Sequence, residues 1–135
     1  MRFRGSGALK GGRRNVETKL TELRLRDEAE AEAALLGVGA DPRGVAIMRE
    51  KAVFRVVRLE AVPVRAANLL KQTFLAHGAE AAVSRETAAF AAETTDMVLM
   101  GTLAQYRCIL VRMREQPFGL RVLAEALEKF LWKNP

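Results

Sequence analysis

A strongly β-forming segment that runs directly into a helix-forming one limits the folds open to this chain. Residues 53–61 read Val-Phe-Arg-Val-Val-Arg-Leu-Glu-Ala. They are rich in β-branched side chains and apolar on both faces in the middle, which predicts a central strand. Pro63 then opens a helix that we expect to reach about Ala76. The apolar stripe of that helix consists of Ala66, Leu69, Leu70, Phe74 and His77.

The rest of the chain alternates strand and helix patterns in the same way. We predict further strands at about 19–26, 79–84, 88–93 and 97–100. Capping signals mark three helix starts, at Asp27 with Glu30, Asp41 with Pro42, and Thr102 with Gln105. These helices should end near Leu36, Arg49 and Gln116, and a last helix should span about 119–132. Two of the predicted strands, 79–84 and 88–93, are too close in sequence to be joined by a crossover connection, so they cannot be parallel neighbours. The sequence therefore predicts an α+β fold, a single domain with a mixed sheet of four or five strands packed with helices.

The predicted core follows from these patterns. The predicted central strand, on which the core packs, carries Phe54, Val56 and Val57. The helices contribute Leu70, Phe74, Leu110 and Leu127. Within the last helix, the residues predicted to point inward are Leu120, Leu123, Leu127 and Phe130.

The net charge of +6 is confined to the start of the chain. Residues 1–26 hold eight Lys and Arg against two Glu, whereas residues 27–135 hold fourteen charges of each sign. We therefore predict a flexible basic tail at 1–15 and a single globular domain at 16–135. Such a tail keeps a protein soluble or attracts phosphates without sequence choice. Nonspecific nucleic-acid binding through the tail is the less favoured of these alternatives.

The chain has few residues of the types that act as nucleophiles or bind metals. The chain has one cysteine, Cys108, and one histidine, His77, so neither an intrachain disulfide nor a Cys/His metal cluster can form. Burial is the default expectation for Cys108, and His77, at a helix end, should be packed or capping. No apolar run reaches the length of a membrane span. We expect a cytoplasmic protein that binds no cofactor, no metal and no membrane.

One segment has some of the features of an anion-binding site. The strand that ends at Met100 runs through Gly101 and Thr102 into a helix N-terminus. There, glycine allows close approach and backbone N–H groups are unpaired. Arg107 or Lys71 would add positive charge. The alternative is that Gly101 makes a tight turn and Thr102 only caps the helix.

Apolar residues in unusual places predict an interface. Val64 and Leu75 fall within the polar sector of their helix. Phe130, Leu131 and Trp132 crowd the end of the sequence, and an exposed aromatic residue is a favoured anchor for a partner. We predict an interface that includes Val64, Leu75 and Trp132, with a homodimer as the default assembly.

Five segments in order carry a resemblance to a known family: Phe54-Arg-Val-Val-Arg-Leu-Glu60, Ala66-Ala-Asn-Leu-Leu-Lys-Gln72, Gly78-Ala-Glu-Ala-Ala-Val83, Thr95-Asp-Met-Val-Leu-Met-Gly-Thr102 with Gln105-Tyr106, and Gln116-Pro-Phe-Gly119. Together they resemble the extra N-terminal domain of some bacterial and archaeal dihydropteroate synthases, over roughly residues 20–125. The resemblance implies a place in folate biosynthesis, where the family's enzyme joins a pterin pyrophosphate to 4-aminobenzoate. Its catalytic (β/α)₈ barrel needs about 250 residues, so the resemblance implies no catalytic residue in this chain.

Three functions are compatible with the sequence. The first is a non-catalytic accessory or regulatory domain that binds a dihydropteroate synthase barrel, a second copy of itself or a small anionic ligand. The second is a small enzyme with a site made from Lys71, Glu80, Arg85 and Asp96. The third is nucleic-acid binding through the basic tail.

Overall fold

The computed structural model of the protein describes residues 6–11, 16–88, 90 and 92–133. The strands in these ranges are β1 Ser6–Gly11, β2 Val16–Thr21, β3 Phe54–Pro63, β4 Glu80–Val83 and β5 Thr94–Thr102. The helices are α1 Glu28–Gly37, α2 Pro42–Met48, α3 Val64–Ala76, α4 Arg85–Ala88, α5 Leu103–Met113 and α6 Leu120–Trp132. One turn of 3₁₀ helix, Arg49–Lys51, precedes β3. None of the helices in the described ranges is long and apolar enough to cross a membrane.

The main sheet consists of β3, β5 and β4, in that order, and both outer strands are antiparallel to β5. β3 and β4 therefore run parallel to each other. α3 joins them as a split β-α-β unit with β5 between the two strands. Both α3 and α5 pack against this sheet and share one hydrophobic core with it. The predicted α+β class is confirmed.

The sheet differs from its prediction in strand number and direction. In the described residues it has three strands, all antiparallel to their neighbours, where a mixed sheet of four or five was predicted. The strand expected at 88–93 is one cause, because Phe90 lies in a turn with φ +54 and Ala92 and Glu93 lie in a bend. The first predicted strand is the other cause. It pairs with β1 in a separate two-stranded sheet and ends at Thr21, earlier than expected.

The strand predicted to be central, β3, lies at an edge of the sheet, and β5 is central. Alternate residues of β5 are buried, from Thr95 to Gly101. Of the three residues predicted to lie on a central strand, only Val57 is buried, whereas Phe54 and Val56 are 60% and 61% exposed. Side chains alternate along a strand, so these two point away from the helices. The prediction that these residues lie on a central strand was wrong.

The helical part of the core is confirmed. Its buried residues include Leu70, Phe74, Leu110 and Leu127. The rings of Phe74 and Tyr106 meet edge to face, with centroids 5.6 Å apart. The buried hydroxyl of Tyr106 donates a hydrogen bond to the carbonyl oxygen of Arg55 (3.0 Å), and burial raises the pKa of this phenol. This hydrogen bond ties α5 to β3.

The capping signals begin helices as predicted. The carboxylate of Asp27 accepts a hydrogen bond from the N–H of Glu30 (2.8 Å), and the side chain of Asp41 caps α2. At α5, Thr102 and Gln105 form both halves of a capping box. Each cap satisfies N–H groups that a helix start otherwise leaves unpaired.

α6 follows its prediction except at one inward position. The buried residues of this helix are Leu120, Ala124, Leu127 and Leu131. Phe130 is exposed, because consecutive helical residues are turned by about 100° and Leu131 takes the inward place. The prediction that Phe130 points inward was therefore wrong.

The start of the described chain holds an exposed hairpin. β1 lies within the predicted tail and pairs antiparallel with β2, and every residue of β2 is exposed. Residues 1–5 and 12–15 lie outside the described residues. The flexible tail at 1–15 thus stays a prediction.

Candidate functional site

In the part of the chain that the structure describes, helices cover one face of the main sheet and leave the other uncovered. We call this second face the open face. It consists of Phe54, Val56 and Arg58 of β3, Asp96, Val98, Met100 and Thr102 of β5, and Glu80 and Ala82 of β4. The β3 and β4 members are exposed, whereas three of the four on the central strand are half-buried. This pattern is expected where a sheet has no second layer on that side.

The strand register places apolar side chains next to each other on the open face. Val56 of β3 lies opposite Met100 of β5, and Val98 of β5 lies opposite Ala82 of β4. Cross-strand neighbours have Cβ atoms about 4.5–5.5 Å apart. These four residues therefore form one apolar patch, which Phe54 extends along β3.

Charged side chains border this patch. Arg58 Nη2 donates to Asp96 Oδ2 (2.8 Å), and Asp96 Oδ1 accepts a hydrogen bond from the N–H of Ala61 (3.1 Å). The N–H of Ala61 and the Arg58 guanidinium hold the pKa of the Asp96 carboxyl below its usual value. The ion pair lines a shallow cavity of about 200 Å³ together with Ala82 and Val98.

An apolar centre with a polar border is the usual composition of a protein–protein contact. Contiguous apolar surface of this kind commonly marks a place that another protein surface covers. The described residues contain no group of three or more His, Cys, Asp or Glu that could hold a metal ion. The open face, with its apolar patch and charged border, is therefore the candidate functional site.

The helix start predicted as an anion site is closed by the protein's own groups. Thr102 Oγ1 accepts from the N–H of Gln105 (3.1 Å), and Gln105 Oε1 accepts from the N–H of Thr102 (2.9 Å). The N–H of Leu103 donates to the carbonyl oxygen of Val53 (3.0 Å). Gly101 is buried, and a Cβ there would lie 3.1 Å from Gln105 Oε1. Three N–H groups that an anion would need are already satisfied, so the geometry favours the capping alternative.

Arg107, one of the two cations assigned to that site, is engaged elsewhere. Its Nε donates to both carboxylate oxygens of Glu50 (2.9 and 2.8 Å), which lowers the pKa of Glu50. Its guanidinium carbon lies 4.5 Å from the centre of the Trp132 ring. The other cation, Lys71, is half-buried on α3. No described contact places either charge at the start of α5, and the anion site stays a prediction.

The residues of the predicted interface have different surroundings. Val64 is 4% exposed and its N–H donates to the carbonyl oxygen of Glu93 (3.0 Å). Placing Val64 on an exposed face was therefore wrong, because the segment around Glu93 packs over the first turn of α3. Leu75 is exposed. Trp132 is half-buried against its own chain, and its Nε1 donates to Glu28 Oε1 (3.1 Å). Of the three residues, only Leu75 is an exposed apolar side chain.

The four residues of the hypothetical enzyme site are not assembled. Glu80 and Asp96 lie on the open face, whereas Lys71 lies on α3, on the other side of the sheet. Arg85 is exposed on α4. Asp96 is already held in an ion pair, and Glu80 Oε1 accepts a hydrogen bond from the N–H of the following residue (2.9 Å). This arrangement gives no support to a catalytic site.

The structure does bring together three residues that sequence reasoning considered separately. A cavity of about 410 Å³ is lined by Thr102, His77 and Cys108. His77 follows the last turn of α3, and its Nδ1 donates to the carbonyl oxygen of Thr73 (2.8 Å), which agrees with a packed, capping role. Cys108 is exposed, so its expected burial was wrong. No hydrogen bond links this thiol to the imidazole among the described side chains, and such a bond is what an activated nucleophile requires.

Sequence reasoning missed the exposure of Phe54 and Val56, which it placed on a central strand. A signal was present in the alternation of β3. Arg58 and Glu60 follow these two residues at intervals of two, so all four side chains share one face. Two exposed charges on that face indicate that solvent reaches it.

Two relatives of known description share part of this sequence. A probable bifunctional folylpolyglutamate synthase/dihydropteroate synthase of Halobacterium salinarum is 36% identical over 102 residues, which are 76% of this chain and 12% of that protein. A bifunctional dihydropteroate synthase/dihydropteroate reductase of Helicobacter pylori is 30% identical over 98 residues, which are 73% of this chain and 26% of that protein. No family model and no solved structure matches the chain.

The chain is thus distantly related to bifunctional proteins that contain dihydropteroate synthase. It spans about a quarter or less of the length of these two relatives. The similarity agrees with the resemblance seen in the sequence. It identifies a group of related proteins, and the role of the shared region within them has to be argued from the site.

Proposed function

We propose that this chain is a non-catalytic accessory domain of the dihydropteroate synthase system in folate biosynthesis, and that it acts by binding the synthase through the open face. The observation that carries the proposal is the apolar patch on a sheet face without a covering layer. The relatives support this choice of partner, because both contain dihydropteroate synthase by description. The matched part is a minor share of each relative, as expected for an accessory region.

The chemistry of the described residues supports binding over catalysis. Charged groups at the border of the open face are held in place by the hydrogen bonds of Asp96 to Arg58 and to the N–H of Ala61. Fixed charges at the rim of an apolar contact give orientation and specificity more than affinity. The open face therefore has the features of a docking surface.

The size of the open face predicts a weak complex with a separate partner. Three strands about 4.8 Å apart, with about 3.3 Å for each residue along them, give a patch of roughly 200–400 Å². A stable complex of free proteins buries about 800 Å² on each side. Binding to the synthase should therefore be weak and is best measured at high protein concentration.

Direct binding to the dihydropteroate synthase of the same genome tests this proposal. Ala82 is an exposed alanine of the open face on the outer strand β4, opposite Val98, and Ala126 is an exposed alanine on α6. The matched variants are Ala82→Arg and Ala126→Arg. Burying an unpaired guanidinium in an apolar contact should weaken binding at least about tenfold in Ala82→Arg. Ala126→Arg should bind like the unmodified chain.

Two results would contradict the proposal. One is that the unmodified chain does not bind the synthase at any concentration that calorimetry can reach. The other is equal affinity of Ala82→Arg and Ala126→Arg, which would mean that the contact lies away from the open face.

A further inference from the structure

β3 lies at the edge of the main sheet, and the first part of this edge is regular. From Phe54 to Leu59 the strand follows an unbroken antiparallel register with β5. After Leu59 the register shifts, Ala61 has φ +55, and the strand ends at Pro63. In the described chain, no backbone group outside β5 hydrogen-bonds to residues 54–59. A regular edge strand of this kind can accept another strand.

The topology shows where a further strand would be expected. The order β3, α3, β4, β5, α5 follows the first five elements of the β-α-β-β-α-β plan. The last strand of that plan pairs with the free edge of the first. In this chain α5 is followed by α6, a helix, whose end is held near β3 by a hydrogen bond from Arg55 Nη1 to the carbonyl oxygen of Leu131 (3.2 Å). The described part of the chain therefore does not fill the position beside β3.

We propose that a second copy of this chain fills it, with the two β3 strands paired antiparallel about a twofold axis at Val56. A twofold axis makes a strand antiparallel to its own copy. The main sheet would then continue from three strands to six. This inference goes beyond the proposed synthase contact and does not depend on it.

Side-chain pairing selects the register. Pairing centred on Val56 places the two Val56 side chains opposite each other. It also places Phe54 opposite Arg58 of the second copy, twice by symmetry, where a guanidinium can lie over the ring. Pairing centred on Arg55 or on Arg58 would place like charges opposite each other, which is unfavourable.

A register centred on Phe54 or Leu59 would extend the pairing beyond the regular segment 54–59, and one centred on Val57 loses the apolar pairing. It would place Phe54 opposite Glu60 and Val56 opposite Arg58 of the second copy. The register at Val56 thus combines the two most exposed apolar residues of β3 with the absence of like-charge pairs.

The expected dimer is weak. Pairing about six residues of each copy buries less than the roughly 1,200 Å² of a stable complex. We therefore expect a dissociation constant on the order of tens of micromolar. The pairing lies in the plane of the sheet and leaves the open face accessible.

Analytical ultracentrifugation at concentrations above and below that value tests the association. The unmodified chain should change from the mass of one copy to that of two. Val56→Lys places two ammonium groups opposite each other at the axis and should remain a single copy. Val122→Lys, at a 74% exposed valine of α6, should dimerise normally. The secondary structure of both variants is checked by circular dichroism.

Two results would overturn the proposal. One is a single-copy mass of the unmodified chain at every concentration, and the other is the same degree of dimerisation in both lysine variants.

Disulfide formation tests the register. Both variants are made in a Cys108→Ser background, because Cys108 is itself exposed. Val56→Cys should form a covalent dimer on mild oxidation, since the two thiols lie opposite each other at the axis. Phe54→Cys, at an equally exposed site on the same face, should not. Covalent dimers of Phe54→Cys, or none from Val56→Cys, would refute the stated register. Ala82→Arg should dimerise like the unmodified chain, so failure of the synthase contact and failure of this dimer are separate outcomes.

Discussion

Replacing Leu70 by alanine should remove much of the stability that holds α3 on the sheet. The side chain of Leu70 is 0% exposed and lies in the core cluster shared by α3, β5 and α5. The change deletes three carbon atoms. At about 0.8 kcal/mol for each buried carbon group, the lost burial costs about 2.4 kcal/mol. The cavity left behind adds to this, so the free energy of unfolding should fall by about 2–5 kcal/mol.

Urea denaturation followed by circular dichroism measures this loss. A domain of this size has a free energy of unfolding of only about 5–15 kcal/mol, so the midpoint should move clearly. Leu75→Ala is the matched control, because Leu75 is on the same helix but 42% exposed. The control should cost less than about 1 kcal/mol. A loss below about 1 kcal/mol for Leu70→Ala, or equal losses for both variants, would refute the assignment of the buried face of α3.

Two further predictions concern the anchoring of α5. Tyr106→Phe leaves the carbonyl oxygen of Arg55 without its hydroxyl donor, and it should lower the free energy of unfolding by about 1 kcal/mol in the same urea assay; no change would mean that water replaces the hydroxyl. The second prediction is a pH dependence of stability that comes from Glu50. Because Arg107 lowers the pKa of Glu50 in the folded state, the stabilisation is present above the usual value of 4.5 and is lost as the pH falls through the lower folded value. Below pH 4.5 the free energy of unfolding should therefore fall further in the unmodified chain than in Arg107→Gln, which lacks this ion pair; equal losses in the two proteins would contradict the coupling.

Local signals in the sequence were sufficient to predict where the helices begin and which faces they bury. Caps such as Asp27 and Asp41 act through hydrogen bonds to N–H groups two or three residues away, so they can be identified without knowledge of the tertiary structure. The stripe of α3 was also predictable, because residues such as Leu70 and Phe74 recur at helical intervals. These features depend on short stretches of chain.

The order of the strands could not be predicted in the same way. An apolar run such as Val56-Val57 is compatible with a central strand or with an edge strand whose second face meets a partner. Only the pairing of β5 with both neighbours distinguishes the two, and that pairing depends on contacts distant in sequence. The burial of Val64 could not be predicted for a related reason. The segment that covers it, around Glu93, comes almost thirty residues later in the sequence.

The candidate site lies where the sequence pattern and the fold disagree. A strand with helices on one side and solvent on the other should carry polar residues on its outer face, yet β3 carries Phe54 and Val56 there. An apolar pair at this position contributes nothing to the chain's own core, and this observation is the basis of the proposed contact surface. The two proposed contacts on β3 are compatible, because strand pairing uses backbone groups in the plane of the sheet and the synthase contact uses side chains perpendicular to it.

Strand pairing would also change what the open face can bind. A six-stranded sheet has twice the open area of one copy, which raises the patch from roughly 200–400 Å² to roughly 400–800 Å². That range reaches the area that one side of a stable complex buries. Dimerisation should therefore strengthen binding to the synthase. Because Val56 itself belongs to the apolar patch, the test uses the unmodified chain, whose affinity for the synthase should rise as its concentration passes through the dissociation constant of the dimer. An affinity that is the same above and below that concentration would show that the two surfaces act independently.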